Sequence, residues 1–328
     1  MSEVPHRPVM LAEVLEVFRP VPPGPVVDAT VGAGGHASAL LDALDDDRSL
    51  IGLDQDADAL AEAAPVLERF GDRAVLRLAR FDAMATTVRE MGFGSVAGAL
   101  FDLGVSSMQL DRAERGFSYH ADAELDMRMD RRRPVSAADV VNEYPVERLA
   151  DVLARHGGER FAGRVARAIV AARPVRTTGE LAEIVRSAIP AATRRRGPHP
   201  ARRTFQALRI EVNDELALLG DSLGQAIDLL APGGRCAVLA YHSGEDRIVK
   251  RAFAEAATGG CECPPRLPCV CGAQPQVRLL WRGARRPGAD EVAANRRAAS
   301  ARLRAVEKLD TPPEPERDPD AAPEGDWP

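Results

Sequence analysis

Short apolar runs alternate with helix-like patterns over the first hundred residues. Residues 25–31 (PVVDATV), 49–54 (SLIGLD), 74–78 and 96–103 are mostly apolar, rich in β-branched positions and bounded by turn residues. Runs of that length suit strands covered on both faces, as in a parallel sheet. Between them, residues 36–44 and 57–70 place apolar side chains at helical spacing, and Pro65 predicts a break or kink in the second. Strand and helix in alternation predict an α/β fold around a parallel sheet.

The rhythm changes after the fourth strand. Residues 136–203 are helical in pattern and rich in arginine, with no convincing strand. They predict an all-helical domain inserted between a first core segment, residues 1–135, and a second, residues 204–309. Sheet grammar then returns: a helix at 213–230, a turn at Ala231-Pro-Gly-Gly234, a buried strand at 235–241, a helix at 245–257 and a strand at 277–281. Residues 292–309 fit helix and strand equally. The proline- and acid-rich segment 310–328 predicts a disordered tail.

Composition alters this picture in two ways. No apolar run approaches the ~18 residues needed to span a bilayer, and the first ten residues lack the apolar core of a signal peptide, so a cytoplasmic location is expected. The net charge of −6 is unpromising for a nucleic-acid enzyme, but the acidic tail carries all of it. The rest of the chain is balanced, and its only lysines are Lys250 and Lys308. Arginines cluster at Arg131, Arg132 and Arg133, at Arg194, Arg195 and Arg196, at Arg202 and Arg203, and at Arg282, Arg285 and Arg286. Arginine forks phosphate and stacks on bases, although a charge run is also simply a solvated face.

Candidate chemistry starts where the first strand meets the first helix, at Asp28-Ala-Thr-Val-Gly-Ala-Gly-Gly-His36. Glycines there let a ligand approach the backbone, and the helix start offers free amide donors. Asp54 ends the second strand, where a carboxylate accepts from ribose hydroxyls. Gly32, Gly34 and Ala37 also satisfy the dinucleotide pattern G-x-G-x-x-A, so the turn alone leaves nicotinamide open. Asp28 suits a cationic ammonium, and the turn at 230–234 before a buried strand is typical of methyltransferase sheets. Both favour S-adenosylmethionine.

Several segments together resemble the RsmH (MraW) family: HRPVML at 6–11, the glycine turn, DLGVSS at 102–107 with QLD at 109–111, RGFSY at 115–119 and LDMRMD at 125–130. GERF at 158–161, RAI at 167–169, HP at 199–200 and RTFQALRI at 203–210 continue it, followed by Asn213, Glu215-Leu216, His242-Ser243 and EDRIVK at 245–250. The chain departs from the family pattern at Ala33, at Ala123-Glu124, at Ala240-Tyr241, where serine or phenylalanine is usual, and at Gly244. The resemblance implies a class I, Rossmann-like S-adenosylmethionine methyltransferase with an inserted helical domain. It implies a 16S rRNA (cytosine-N4)-methyltransferase acting in the decoding region (P site), with the small ribosomal subunit as partner. By motif, Gly34, Gly35 and His36 would line the methionine part of the cofactor, Asp54 would bind its ribose, and Phe81 would pack on the adenine. Asp102 and Gln109 would lie near the sulfonium and the incoming base, with Asp102 catalytic. Phe117, Tyr119, Tyr241 and His242 are candidates to hold a splayed base, Phe117 being better suited to the core.

Cys236 reads as a small core residue. Cys261, Cys263, Cys269 and Cys271 form two C-x-C pairs that could hold a tetrahedral zinc, or a proline-stiffened loop carrying thiols. No metal is assigned to catalysis, and oligomeric state is left open. Two other functions compete: a nicotinamide oxidoreductase resting on the same glycine turn, and a non-catalytic RNA-binding assembly factor resting on the arginines.

Overall fold

A computed structural model describes residues 8–45, 47–191, 199–264 and 270–310. One seven-stranded sheet has the order β3-β2-β1-β4-β5-β7-β6. The strands are β1 (Val26–Asp28), β2 (Leu50–Asp54), β3 (Ala74–Leu78), β4 (Val96–Asp102), β5 (Leu230–Ala240), β6 (Val277–Leu279) and β7 (Arg302–Lys308). β1 to β5 are parallel, and β7 lies antiparallel between β5 and β6. The expected α/β class is borne out. Strand order reverses between β1 and β4, and ligands of such sheets bind at the carboxyl ends beside that reversal.

Adjacent strand residues face opposite layers. Val27, Ile51, Phe101 and Val238 pack under α4 (Met84–Glu90), α11 (Leu219–Leu229) and α12 (Ser243–Thr258). Their neighbours Val26, Leu50, Leu100 and Leu239 pack under α1 (Leu11–Phe18), α2 (Gly35–Ala43) and α3 (Ala57–Leu67). Gly98 at the middle of β4 makes room for a helix side chain, because a Cβ there would stand 2.6 Å from the Phe18 ring. Cys236 is fully buried in β5, as its apolar setting suggested.

Three local readings are refined. Pro65 lies inside α3, which ends at Leu67 and tightens into the 3-10 segment Glu68–Arg73. Leu230 pairs with Val96 and Arg235 with Gly98, so the turn expected ahead of the strand is an irregularity within β5. The ambiguous stretch near residue 300 contains both answers, α13 (Ala289–Ala294) and then β7.

The segment between β4 and β5 starts with α5 (Ser107–Asp111) and builds its own core from α6 (Ala137–Glu143), α7 (Val146–Arg155), α8 (Ala162–Ala171), α9 (Thr178–Ala188) and α10 (Arg202–Asn213). Leu149, Val152 and Leu153 give α7 its buried stripe at helical spacing. Ser136 with Asp139, and Thr177 with Glu180, form capping boxes that start α6 and α9. This second core gathers side chains from Phe117 to Val212, on both sides of residues 136–203. Arg194, Arg195, Arg196, Cys269, residues 6 and 7 of the first motif and residues 311–328 of the acidic segment lie outside the described residues. Among the described residues, no helix is long and apolar enough to cross a membrane.

Candidate active site

β1 and β4 end side by side, Asp28 opposite Leu100, which brings the glycine turn against the end of β4. Thr30 fixes this junction. Its backbone N–H donates to Asp28 Oδ1 at 3.2 Å, and its hydroxyl oxygen accepts the backbone N–H of Asp102 at 2.6 Å. Further along the turn, Gly32 N–H donates to Asp54 Oδ2 at 2.9 Å and Asp56 N–H to Asp54 Oδ1 at 2.9 Å. Gly34 enters α2 with φ of +82°, a left-handed conformation that favours glycine. A Cβ on Gly35 would come 2.7 Å from Pro8, so the segment preceding α1 lies directly on the turn.

His36 is buried in the first turn of α2. Its Nε2 stands 3.0 Å from the carbonyl oxygen of Val9, and its Nδ1 stands 3.4 Å from Asp102 Oδ2. With Nε2–H given to Val9, a hydrogen on Nδ1 facing Asp102 makes the ring an imidazolium. Burial opposes that charge, but Asp102 and Asp28 together outweigh it and raise the His36 pKa.

The other oxygen of Asp102 meets β5. Tyr241, the residue after that strand, donates from Oη to Asp102 Oδ1 at 2.7 Å. Burial lifts the Tyr241 pKa well above its ordinary value, so the phenol keeps its hydrogen through neutral pH. The Asp102 side chain stays 26% exposed, so its carboxylate is not sealed off by these two partners.

Charge in the crevice is unbalanced. Burial pushes Asp28 up to about 7 and Asp54 up to about 6. His36 offsets Asp28 only in part, and among the described residues neither acid forms a salt bridge. A ligand carrying a sulfonium and an ammonium would supply the missing positive charge, so this set of carboxylates fits S-adenosylmethionine. A dinucleotide pyrophosphate would add negative charge to it.

Gln109 and Phe81 act at the margins. Gln109 closes a capping box on α5: its Oε1 accepts from Ser106 N–H at 3.0 Å, while Nε2 donates to Asp56 Oδ2 at 2.8 Å. Both ends of its amide are thus engaged beside Asp54. Phe81 is largely buried, its ring 6.2 Å from Phe101 in an edge-on contact. Of the proposed base-holding residues, Phe117 is buried in the second core and His242 caps α12 through Nδ1. Tyr119 stacks on His199 at 4.5 Å with the rings 8° apart.

Arg115 is the main residue whose weight the sequence hides. It is 1% exposed, and one guanidinium nitrogen donates to Asp56 Oδ2 at 2.8 Å and to the carbonyls of Arg128 and Met129 at 3.0 and 3.1 Å. The acid pattern Asp54-Gln-Asp56 ahead of α3 was a usable signal for one half of this pair. At the far side, Arg209 of α10 forks Glu215 at 2.7 and 2.9 Å, and Glu245 accepts from the backbone N–H groups of Tyr241 and His242. Arg209 also stands 3.8 Å from Glu245, so the helical insertion is tied to the turn after β5. Several predicted phosphate-binding arginines already have acidic partners: Arg132 with Asp130, Arg133 with Asp214 and Arg285 with Glu16. Arg131, Arg202, Arg203, Arg282 and Arg286 are exposed.

Comparison with known proteins gives the family. The model of the MraW methylase family matches residues 3–309. A ribosomal RNA small subunit methyltransferase H of Acidothermus cellulolyticus is 54% identical over 311 residues, covering 93% of this chain and 94% of that protein. Proteins of the same name from Thermobifida fusca and Symbiobacterium thermophilum are 53% and 52% identical. They cover 94% and 93% of this chain, and 94% and 96% of their own lengths.

Proposed function

The chain belongs to the MraW methylase family, and from that premise we propose that it methylates the N4 amine of a cytidine in the decoding region (P site) of 16S rRNA, using S-adenosylmethionine. Its workplace is the cytoplasm and its partner the small ribosomal subunit. The observation that carries the reading is the partly exposed carboxylate of Asp102 on a backbone whose N–H is tied through the Thr30 hydroxyl to the turn that starts at Asp28.

When bound, the donor supplies an electrophilic methyl group on sulfur. Asp28 takes its ammonium, Asp54 its ribose hydroxyls, and the backbone at Gly34, Gly35 and His36 lines its methionine part. Phe81, braced by Phe101, walls the adenine end. Gln109 is a positioning residue, holding Asp56 and with it the loop after β2.

The amine of cytosine is a weak nucleophile because its lone pair is delocalised into the ring. Asp102 accepts an N–H of that amine, which favours the pyramidal form and directs the lone pair toward the methyl. Tyr241 and His36 hold the two carboxylate oxygens in place, and a carboxylate oxygen with one partner still has a lone pair to offer. After transfer the nitrogen loses a proton, with Asp102 as the first acceptor. In-line placement contributes most, up to roughly 7–11 kcal/mol for well-oriented reactants. The target base must leave its stack to reach Asp102. Tyr119 with His199, and the exposed arginines, are the groups suited to hold the splayed strand.

The test is incubation with labelled S-adenosylmethionine and undermethylated 30S particles, followed by nucleoside analysis. Label recovered as N4-methylcytidine at one decoding-region position supports the reading. Label on C5, on another base or in large-subunit RNA overturns it.

A further inference from the structure

The connection between α12 and β6 carries chemistry that methyl transfer does not use. Cys261, Cys263 and Cys271 come together there, their sulfur atoms all within 4.8 Å of one another. Cys271 and Cys261 are 3.6 Å apart at sulfur. That exceeds the ~2.05 Å of a disulfide and is close to the roughly 3.8 Å edge of a tetrahedron with ~2.3 Å zinc–sulfur bonds. Backbone hydrogen bonds from Val270 and Cys271 reach the Cys263 sulfur, the kind of outer support that holds a metal-bound thiolate in place.

The limbs of the connection are built to hold this arrangement. α12 ends at Gly259 in a left-handed conformation, with φ of +62°. A Cβ there would meet the Gln274 backbone at 2.3 Å, so only glycine lets the returning strand pass so close. Cys261 N–H donates to the Thr258 carbonyl at 3.2 Å, and Gln276 N–H to the Ala256 carbonyl at 2.9 Å. Both limbs therefore leave the same helix end, and the cysteines sit just beyond it.

We propose that Cys261, Cys263 and Cys271 bind a structural zinc ion that clips this connection to the end of α12. Zinc replaces the thiol protons, three thiolates occupy three tetrahedral positions, and one further donor completes the shell. The site is remote from Asp102: α12 starts beside Tyr241 and spans about 24 Å at 1.5 Å per residue before the cysteines begin.

The experiment uses the full chain, purified under reducing conditions and dialysed against a chelator. Metal analysis is expected to return about one zinc per protein, falling at least ~fivefold in Cys261→Ser, Cys263→Ser or Cys271→Ser. Cobalt exchange should give the visible bands of a tetrahedral thiolate site, absent from the triple serine variant. Methyl transfer by the triple variant should stay within about twofold, since the clip is far from the chemistry. Chelator-stripped protein without metal, a disulfide between any two of these cysteines in its place, or zinc retained in the triple variant overturns the proposal.

Discussion

Tyr241 Oη lies 2.7 Å from Asp102 Oδ1, joining the carboxyl ends of neighbouring strands β5 and β4. Gly104, two residues on, has a positive φ of +100°, and a Cβ there would touch the Tyr241 ring at an ordinary 3.5 Å. The hydroxyl orients one oxygen of the carboxylate, and His36 faces the other at 3.4 Å.

Substitution separates these roles. Asp102→Ala removes the acceptor for the amine, and turnover should fall about 10²-fold or more. Tyr241→Phe keeps the ring and the His36 contact, so a loss of no more than about tenfold is expected. Single-turnover rates at saturating donor, with donor affinity measured separately, check both. Near-normal chemistry in Asp102→Ala would remove Asp102 from the mechanism.

The raised carboxylates set a pH dependence whose sign is fixed. Asp28 at about 7 and Asp54 at about 6, against an ordinary 3.8, hold protons in the folded state that the unfolded chain releases. Their contribution to stability is fully present below the ordinary value and is lost as pH rises through 6 and 7. Donor binding runs the other way, because its positive groups favour the ionised carboxylates. Donor affinity should weaken by up to about tenfold per unit as pH falls below 7, and the donor's thermal stabilisation should be greater at pH 8 than at pH 5.5. Calorimetric titration across that range checks it, and a flat profile would contradict a direct contact with Asp28.

Arg115→Met should destabilise the fold by ~3–5 kcal/mol, the scale for breaking a buried ion pair from one side. It strands Asp56 and two carbonyls, and Gln109 loses a fixed partner. Urea denaturation measures this. A loss below about 1 kcal/mol would mean that Asp56 finds another partner or a proton.

RNA affinity should fall steeply with salt. Replacing Arg202 and Arg203 by glutamine should shallow the slope by ~1 for each phosphate that is no longer neutralised. Donor affinity should not change. Filter binding at two salt concentrations for each variant is sufficient, and an unchanged slope would move the RNA path elsewhere.

Much of this molecule is readable from its order of residues. The runs at β1, β2 and β4 are short, apolar and buried, as strands of a covered parallel sheet are, whereas the edge strand β3 is only partly covered. Asp28, Asp54 and Asp102 were visible because strand ends at a switch point are where such folds bind ligands. What the pattern hides is long-range pairing. Asp56 and Arg115 are 59 residues apart, and nothing local shows that the arginine is buried. Tyr241 reads as an aromatic for stacking on a base, whereas its hydroxyl is what engages Asp102. The stretch after residue 292 carried two periodicities because it holds a helix and a strand in succession. Helix and strand signals also blur at Leu230, where β5 continues past a proline and two glycines that would ordinarily end an element.

The most direct measurement is a crystal structure with S-adenosylmethionine or its demethylated product. The expected result is donor electron density between the turn at Gly34 and the Asp102 carboxylate, its ribose on Asp54 and its ammonium near Asp28. Density elsewhere, or a crevice left empty at saturating donor, would contradict the assignment of this site.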